Sequence, residues 1–137
     1  MSTRIMVVDD TQELLDLFQE LLSDEGYEVV LNAAGIQDVA EVERVRPGLI
    51  ILDHIIDGKP AGLQVVRQLQ LQPATAAIPV IVCTAASLAP EEMEGYLQAG
   101  GVRLVLKPFD VDELLQSVQC ALAKDVGAAL PGTLGRD

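Results

Sequence analysis

The sequence predicts one doubly wound α/β domain: a five-stranded parallel sheet with helices on both faces. Three observations predict it. Short apolar runs recur without polar alternation, as strands buried on both faces require. Segments with helically spaced apolar residues separate them, and the connections are short and rich in Gly and Pro, so right-handed βα crossovers close the sheet. The 137 residues suit a single domain with a proper core. Two Phe, two Tyr and no Trp leave that core to Leu, Val, Ile and Ala.

The first strand is Arg4-Ile5-Met6-Val7-Val8, which runs into Asp9-Asp10. From Thr11 to Glu25, Leu14, Leu15, Phe18, Leu21 and Leu22 form a helical stripe closed by Gly26. Residues 27–31 read as the second strand, and 36–46 as a helix stopped by Pro47. The third strand, Leu49-Ile50-Ile51-Leu52-Asp53, is the organising stretch: four apolar residues run straight into a carboxylate. After a Gly/Pro loop, a helix is expected from Gly62 to Leu71 with Leu63, Val66 and Leu69 inward.

Pro79 to Thr84 is the fourth strand. Pro90 opens a helix in which Glu91 and Glu92 sit where the macrodipole favours negative charge, and Gly100-Gly101 ends it. Val102 to Leu106 is the fifth strand, with Lys107-Pro108 at its end. Asp110-Val111-Asp112-Glu113 has capping-box spacing and opens a last helix with Val111, Leu114, Leu115, Val118, Ala121 and Leu122 on one stripe. The composition then shifts, so the expected division is a domain over 1–126 and a flexible tail or truncated linker over 127–137.

The formal net charge of −12 argues against nucleic acid or an anionic membrane as a partner of this chain alone, since either would be repelled. Cys83 and Cys120 have no metal-like spacing, and neither a secretory leader nor a membrane-length apolar run is present. A cytoplasmic protein with free thiols is expected.

Four of the five strands end in polar residues: Asp9-Asp10, Asp53, Thr84 and Lys107. In a parallel sheet these ends share one edge, where ligand crevices form. Clustered carboxylates raise one another's pKa unless a cation sits among them, and hard oxygen ligands with room for water suit Mg2+. Lysine adds a point charge for a phosphoryl oxygen, and threonine adds a hydroxyl donor. Together they supply what phosphoryl transfer to a carboxylate requires, with Asp53, single and central, as the nucleophile.

The ordered set Asp9-Asp10, Asp53, Thr84-Ala85 and Lys107-Pro108-Phe109, spread over five βα units, resembles the receiver domain of two-component response regulators. The similarity covers roughly residues 3–124. It implies a flavodoxin-like fold with strand order 2-1-3-4-5, and a phosphorylation-dependent switch in which Asp53 accepts a phosphoryl group from a sensor histidine kinase or histidine phosphotransfer protein. It further implies Mg2+ held by the side chains of Asp10 and Asp53 and the backbone carbonyl of Ile55, with Asp9 assisting through water. Thr84 and Lys107 would engage the phosphoryl group, and Lys107-Pro108 would be a cis peptide. A stand-alone regulator of the chemotaxis type is the expected organisation, and the resemblance allows pairing of two copies through the fourth and fifth helices.

Two stretches depart from the family pattern. The loop from His54 to Gly62 lacks the usual proline, has Ala61-Gly62 in place of Asp-Gly and is one residue longer. Leu104 stands where an aromatic switch residue is usual, so coupling of the usual kind does not operate. Ile55 and Ala86 are apolar at positions that border the path of the hydrolytic water, which implies a long-lived phosphoryl group. His54, adjacent to Asp53, faces away from it by strand alternation and is expected under the third helix or in solvent. Tyr96 reads as a helix-surface residue.

The alternative is a pseudo-receiver that docks constitutively without phosphorylation. An aspartate-nucleophile phosphatase of the haloacid-dehalogenase kind fits less well, because its second Asp lies two residues on and a cap domain is usual. A flavodoxin would need a phosphate-cradling loop after the first strand.

Overall fold

The computed structural model describes residues 3–84 and 88–127. Its elements follow the chain as β1 (Arg4–Val8), α1 (Gln12–Asp24), β2 (Glu28–Asn32), α2 (Val39–Val45), β3 (Leu49–Asp53), β4 (Ile55–Ile56), β5 (Lys59–Pro60), α3 (Gly62–Leu71), β6 (Val80–Thr84), α4 (Pro90–Ala99), β7 (Val102–Leu106) and α5 (Val111–Gly127). The five long strands pair in parallel in the order β2-β1-β3-β6-β7. Counting only those strands, this is the expected order 2-1-3-4-5.

Strand alternation divides the interior into two cores. Ile5, Val7, Leu49, Ile51, Ile81, Cys83 and Val105 face the buried stripes of α1 (Leu15, Phe18, Leu22) and α5 (Leu114, Val118, Ala121). Met6, Val8, Ile50, Leu52, Val80 and Val82 face α2, α3 and α4 through Val42, Val65, Val66, Leu69 and Tyr96. Because β3 is central, all five of its residues are buried. Continuing the same alternation past the apolar runs puts Asp9, Asp53 and Lys107 on the α1/α5 side, and His54 on the α3/α4 side.

Three local readings change. The second helix begins at Val39 rather than Ile36, because Asp38 is its N-cap: its carboxylate accepts from Ala40 N–H at 2.9 Å, and Glu41 accepts in return from Asp38 N–H at 3.1 Å. Ile36 is buried in the loop before it. Val111 at the start of α5 is 38% exposed, so the inward stripe begins at Leu114. The stretch expected as a plain Gly/Pro loop contains a small antiparallel hairpin, β4 on β5. Its turn is Asp57-Gly58, with φ of 55° and 74°. Positive φ at both central residues is the two-residue hairpin geometry that Asp-Gly favours. Of the expected tail over 127–137, Gly127 is the last residue of α5 and the rest lies outside the described residues, as does Ala86.

Cys83 is buried, and burial pushes its thiol up to about 12; Cys120 is exposed. Alkylation of the native protein is therefore expected to modify one thiol, at Cys120, with the second reacting only after denaturation. Peptide mapping of a brief iodoacetamide treatment checks this, and equal labelling of both would contradict the packing of β6.

Candidate functional site

The carboxyl ends of β1, β3, β6 and β7 bring the polar residues together. Asp9 follows β1 directly; it is 2% exposed, and its Oδ1 accepts from Thr11 N–H at 2.8 Å. Asp53 ends β3 at 8% exposure, and its Oδ1 accepts from Ile55 N–H at 3.2 Å. Lys107 follows β7, where its N–H donates to the Thr84 carbonyl at 2.9 Å. The Lys107–Pro108 peptide is cis. The Lys107 ammonium bridges the two acids, at 3.0 Å from Asp9 Oδ2 and 3.1 Å from Asp53 Oδ2. Thr84 is fully buried at the end of β6.

Asp10, by contrast, is exposed at the rim. One carboxylate oxygen from each of Asp9, Asp10 and Asp53 lies within 4.8 Å of the other two. Three clustered carboxylates, two of them paired with one ammonium, leave an excess of negative charge that a divalent cation would neutralise. The donors are hard oxygens, and the exposed Asp10 leaves space for water, so the set fits Mg2+. Ile55 sits beside this cluster at the start of β4, half-buried.

Burial drives the electrostatics. Desolvation raises the Asp53 carboxyl above its ordinary value of 3.8 and the Asp9 charge adds to the rise, while hydrogen bonding and attraction from Lys107 oppose it. For Lys107, burial alone would lower the ammonium, but its hydrogen bonds to Asp9 and Asp53 outweigh that and hold it above its ordinary value. The result is a buried, basic carboxylate tied to a firmly protonated lysine.

The hairpin does more for the site than its sequence suggested. Asp57 N–H donates to Asp10 Oδ2 at 2.7 Å, so the turn orients the rim carboxylate. The signal for it was the Asp-Gly pair between Ile55-Ile56 and Lys59-Pro60.

Tyr96 differs from its sequence reading, and His54 keeps to its reading beside α3 while reaching α4 as well. Tyr96 is 1% exposed rather than on the helix surface, because α4 turns it inward against β3 and the start of α3. His54, also 1% exposed, lies beside the first residue of α3, but its polar partners are on α4. Its Nδ1 is 2.6 Å from the Tyr96 hydroxyl and its Nε2 is 3.3 Å from Glu92 Oε2. Gly62 makes room for this. A Cβ there would stand 2.5 Å from the Tyr96 hydroxyl and 3.0 Å from the His54 Cα, and its N–H donates to the His54 carbonyl at 3.1 Å. Gly62→Ala is thus expected to destabilise by about 1–3 kcal/mol, despite the roughly 1 kcal/mol that Ala gains over Gly in a helix interior. Urea unfolding checks it; a higher midpoint for the variant would refute the close approach.

Comparison with known proteins agrees with this geometry. A family model described as the response regulator receiver domain matches residues 5–119. The DNA-binding dual master transcriptional regulator RpaA of Synechocystis is 33% identical over 121 residues, which cover 88% of this chain and 49% of that protein. The chain thus spans about half the length of that relative, and likewise 53% of the DNA-binding response regulator MtrA of Mycobacterium tuberculosis, at 30% identity over 91% of the chain. Among solved structures, the receiver domain of sensor histidine kinase PA1611 from Pseudomonas aeruginosa, with a magnesium ion coordinated in the active site cleft, superposes with a TM-score of 0.76 at 30% identity, covering 90% of this chain and 99% of that one. With the sheet order, the acidic cluster and the bridging lysine in place, the chain belongs to the response regulator receiver domain family.

Proposed function

We propose that this chain is a phosphorylation-dependent switch of a two-component system, with Asp53 as the acceptor of a phosphoryl group from a sensor histidine kinase or a histidine phosphotransfer protein. The observation that carries the reading is the Lys107 ammonium bridging Asp53 and Asp9 within a carboxylate cluster at the sheet edge.

A carboxylate oxygen of Asp53 attacks the phosphorus of the donor phosphohistidine. The P–O bond forms as the P–N bond breaks, and the departing imidazole nitrogen takes up a proton. Burial makes Asp53 a more basic and less hydrated nucleophile than an exposed aspartate. Lys107, already directed at Asp53, offers its ammonium to an oxygen of the transferred group, and Thr84 at the neighbouring strand end supplies a hydroxyl donor. Asp10, Asp53 and the Ile55 carbonyl would hold Mg2+, with Asp9 assisting through water; bound there, the ion neutralises phosphoryl oxygens. The apolar Ile55 beside the acceptor supports a slow loss of the group to water.

Intact-mass spectrometry after incubation with acetyl phosphate, with and without Mg2+, tests the reading. A Mg2+-dependent gain of one phosphoryl group supports it. A folded protein that gains none would be a pseudo-receiver, docking on its partners without phosphorylation.

A further inference from the structure

Outside the acidic cleft, the described residues hold a second polar cluster, and the proposed phosphotransfer does not use it. It consists of His54 and Tyr96, both buried, and Glu92, whose side chain is 31% exposed. His54 is built into β3's ladder, with its N–H donating to the Cys83 carbonyl at 3.2 Å, and it is peptide-bonded to Asp53. Its side chain crosses to the opposite face of the sheet and ends on α4.

The Glu92 carboxylate only accepts, so the Nε2 that faces it carries the proton and donates. In the neutral imidazole Nδ1 is then the acceptor, and the Tyr96 hydroxyl donates to it. Burial pushes the Tyr96 hydroxyl further above its ordinary value, with the charges of Glu92 and Asp53 adding to the rise, so it stays a donor. Glu92 uses both oxygens: Oε2 meets His54, and Oε1 accepts from Ala89 N–H at 3.1 Å, at the N-cap of α4.

One carboxylate therefore joins the residue next to Asp53 to the N-cap of α4. The site reaches α4 from Asp53 through His54 and Glu92. Gly62 packs against the same cluster, so room to absorb a shift is small.

We propose that the His54, Tyr96 and Glu92 cluster is the link through which a change at Asp53 is passed to α4, with His54 as a positioning residue. The proposal rests on the reading of Asp53 as the phosphoryl acceptor. The cluster transmits a displacement because breaking it leaves the buried His54 ring and Tyr96 hydroxyl unpaired away from water. The helix it holds presents Met93 and Leu97 to solvent at 39% and 72% exposure, so its position alters what the surface displays.

Hydrogen exchange of the α4 amides, read by mass spectrometry with and without Mg2+ and acetyl phosphate, tests the link in wild type, Glu92→Gln and Tyr96→Phe. Gln at 92 retains one oxygen for the Ala89 cap but lacks the second acceptor for His54, and Phe at 96 removes only a hydroxyl. The intact mass of each sample reports phosphorylation independently. Wild type is expected to change exchange in α4 by about tenfold, and both variants to gain the phosphoryl group as wild type does while losing most of that response. His54 is the single histidine, so its ring resonance is unambiguous and should shift on phosphorylation of wild type. Phosphorylated variants that respond like wild type, or an unmoved His54 resonance in phosphorylated wild type, would overturn the link alone. Absence of any phosphoryl gain in wild type would overturn the Asp53 reading and the link with it, an outcome the mass measurement separates from the others.

Discussion

Asp53→Asn is expected to abolish phosphoryl acceptance completely and, in the absence of Mg2+, to make the protein more stable than wild type. The first part follows because the amide oxygen is a far weaker nucleophile than the carboxylate. The second follows from the charge balance: Asp9, Asp10 and Asp53 cluster together, the Lys107 ammonium pairs with Asp9 and Asp53 alone, and Asp53 is buried. Its folded-state pKa lies above its unfolded value. The carboxyl therefore favours the fold while protonated, and that contribution is lost as pH rises through the raised folded value. At neutral pH the ionised group is a net cost. Asn relieves the charge while keeping one oxygen, enough for Ile55 N–H or for Lys107 but not for both, since they meet different oxygens of Asp53. A gain of roughly 1 kcal/mol, corresponding to about 3–5 °C in Tm for a domain of this size, is expected. Scanning calorimetry in EDTA from pH 7 downward measures it. The gain should shrink toward acid as wild-type Asp53 takes up its proton. A variant less stable than wild type at pH 7 would show that attraction to Lys107 outweighs burial.

Mg2+ should reverse the ranking. The ion is expected to raise the wild-type Tm by mass action and to do so far less for the variant, which has lost one carboxylate ligand.

The sheet was legible in the sequence because both faces of every central strand are buried, which leaves runs such as Leu49-Ile50-Ile51-Leu52 with no polar residue to confuse the period. The site was legible for a related reason. Parallel strands share one carboxyl edge, so a polar residue at the end of each apolar run is already placed. Asp9, Asp53 and Lys107 needed no tertiary information beyond strand order.

What escaped was set by contacts between elements distant in sequence. Nothing local marks Tyr96 as buried, since α4 is amphipathic only weakly and carries exposed Met93 and Leu97. Its burial depends on His54, 42 residues earlier, and on the missing side chain at Gly62. The Asp57-Gly58 hairpin was readable from its turn chemistry, but Lys59-Pro60 is too short and too polar to announce a strand. The early start expected for α2 has a similar origin, because Ile36 packs from a loop, where helical spacing does not apply.

Lys107→Met is expected to shift stability in the opposite direction to Asp53→Asn, and by more. The variant keeps most of the side-chain volume but removes the ammonium that lies 3.0 and 3.1 Å from two buried carboxylates. Removing one partner of a buried pair leaves uncompensated charge, which costs about 3–5 kcal/mol in well-buried cases. Lys107 retains 14% exposure, so the lower end, about 3 kcal/mol, is expected here. The deficit should be largest at neutral pH in EDTA and shrink on acidification, as Asp53 takes up its proton. Added Mg2+ should recover part of it by supplying the missing positive charge. Combining the two substitutions separates the terms. With Asn at 53, loss of the lysine leaves only Asp9 unpaired among the two, so the double variant should be more stable than the sum of the single effects predicts. That coupling is the signature of groups in direct contact. Additive effects would mean that Lys107 serves the fold through its packing, and that its charge is neutralised elsewhere.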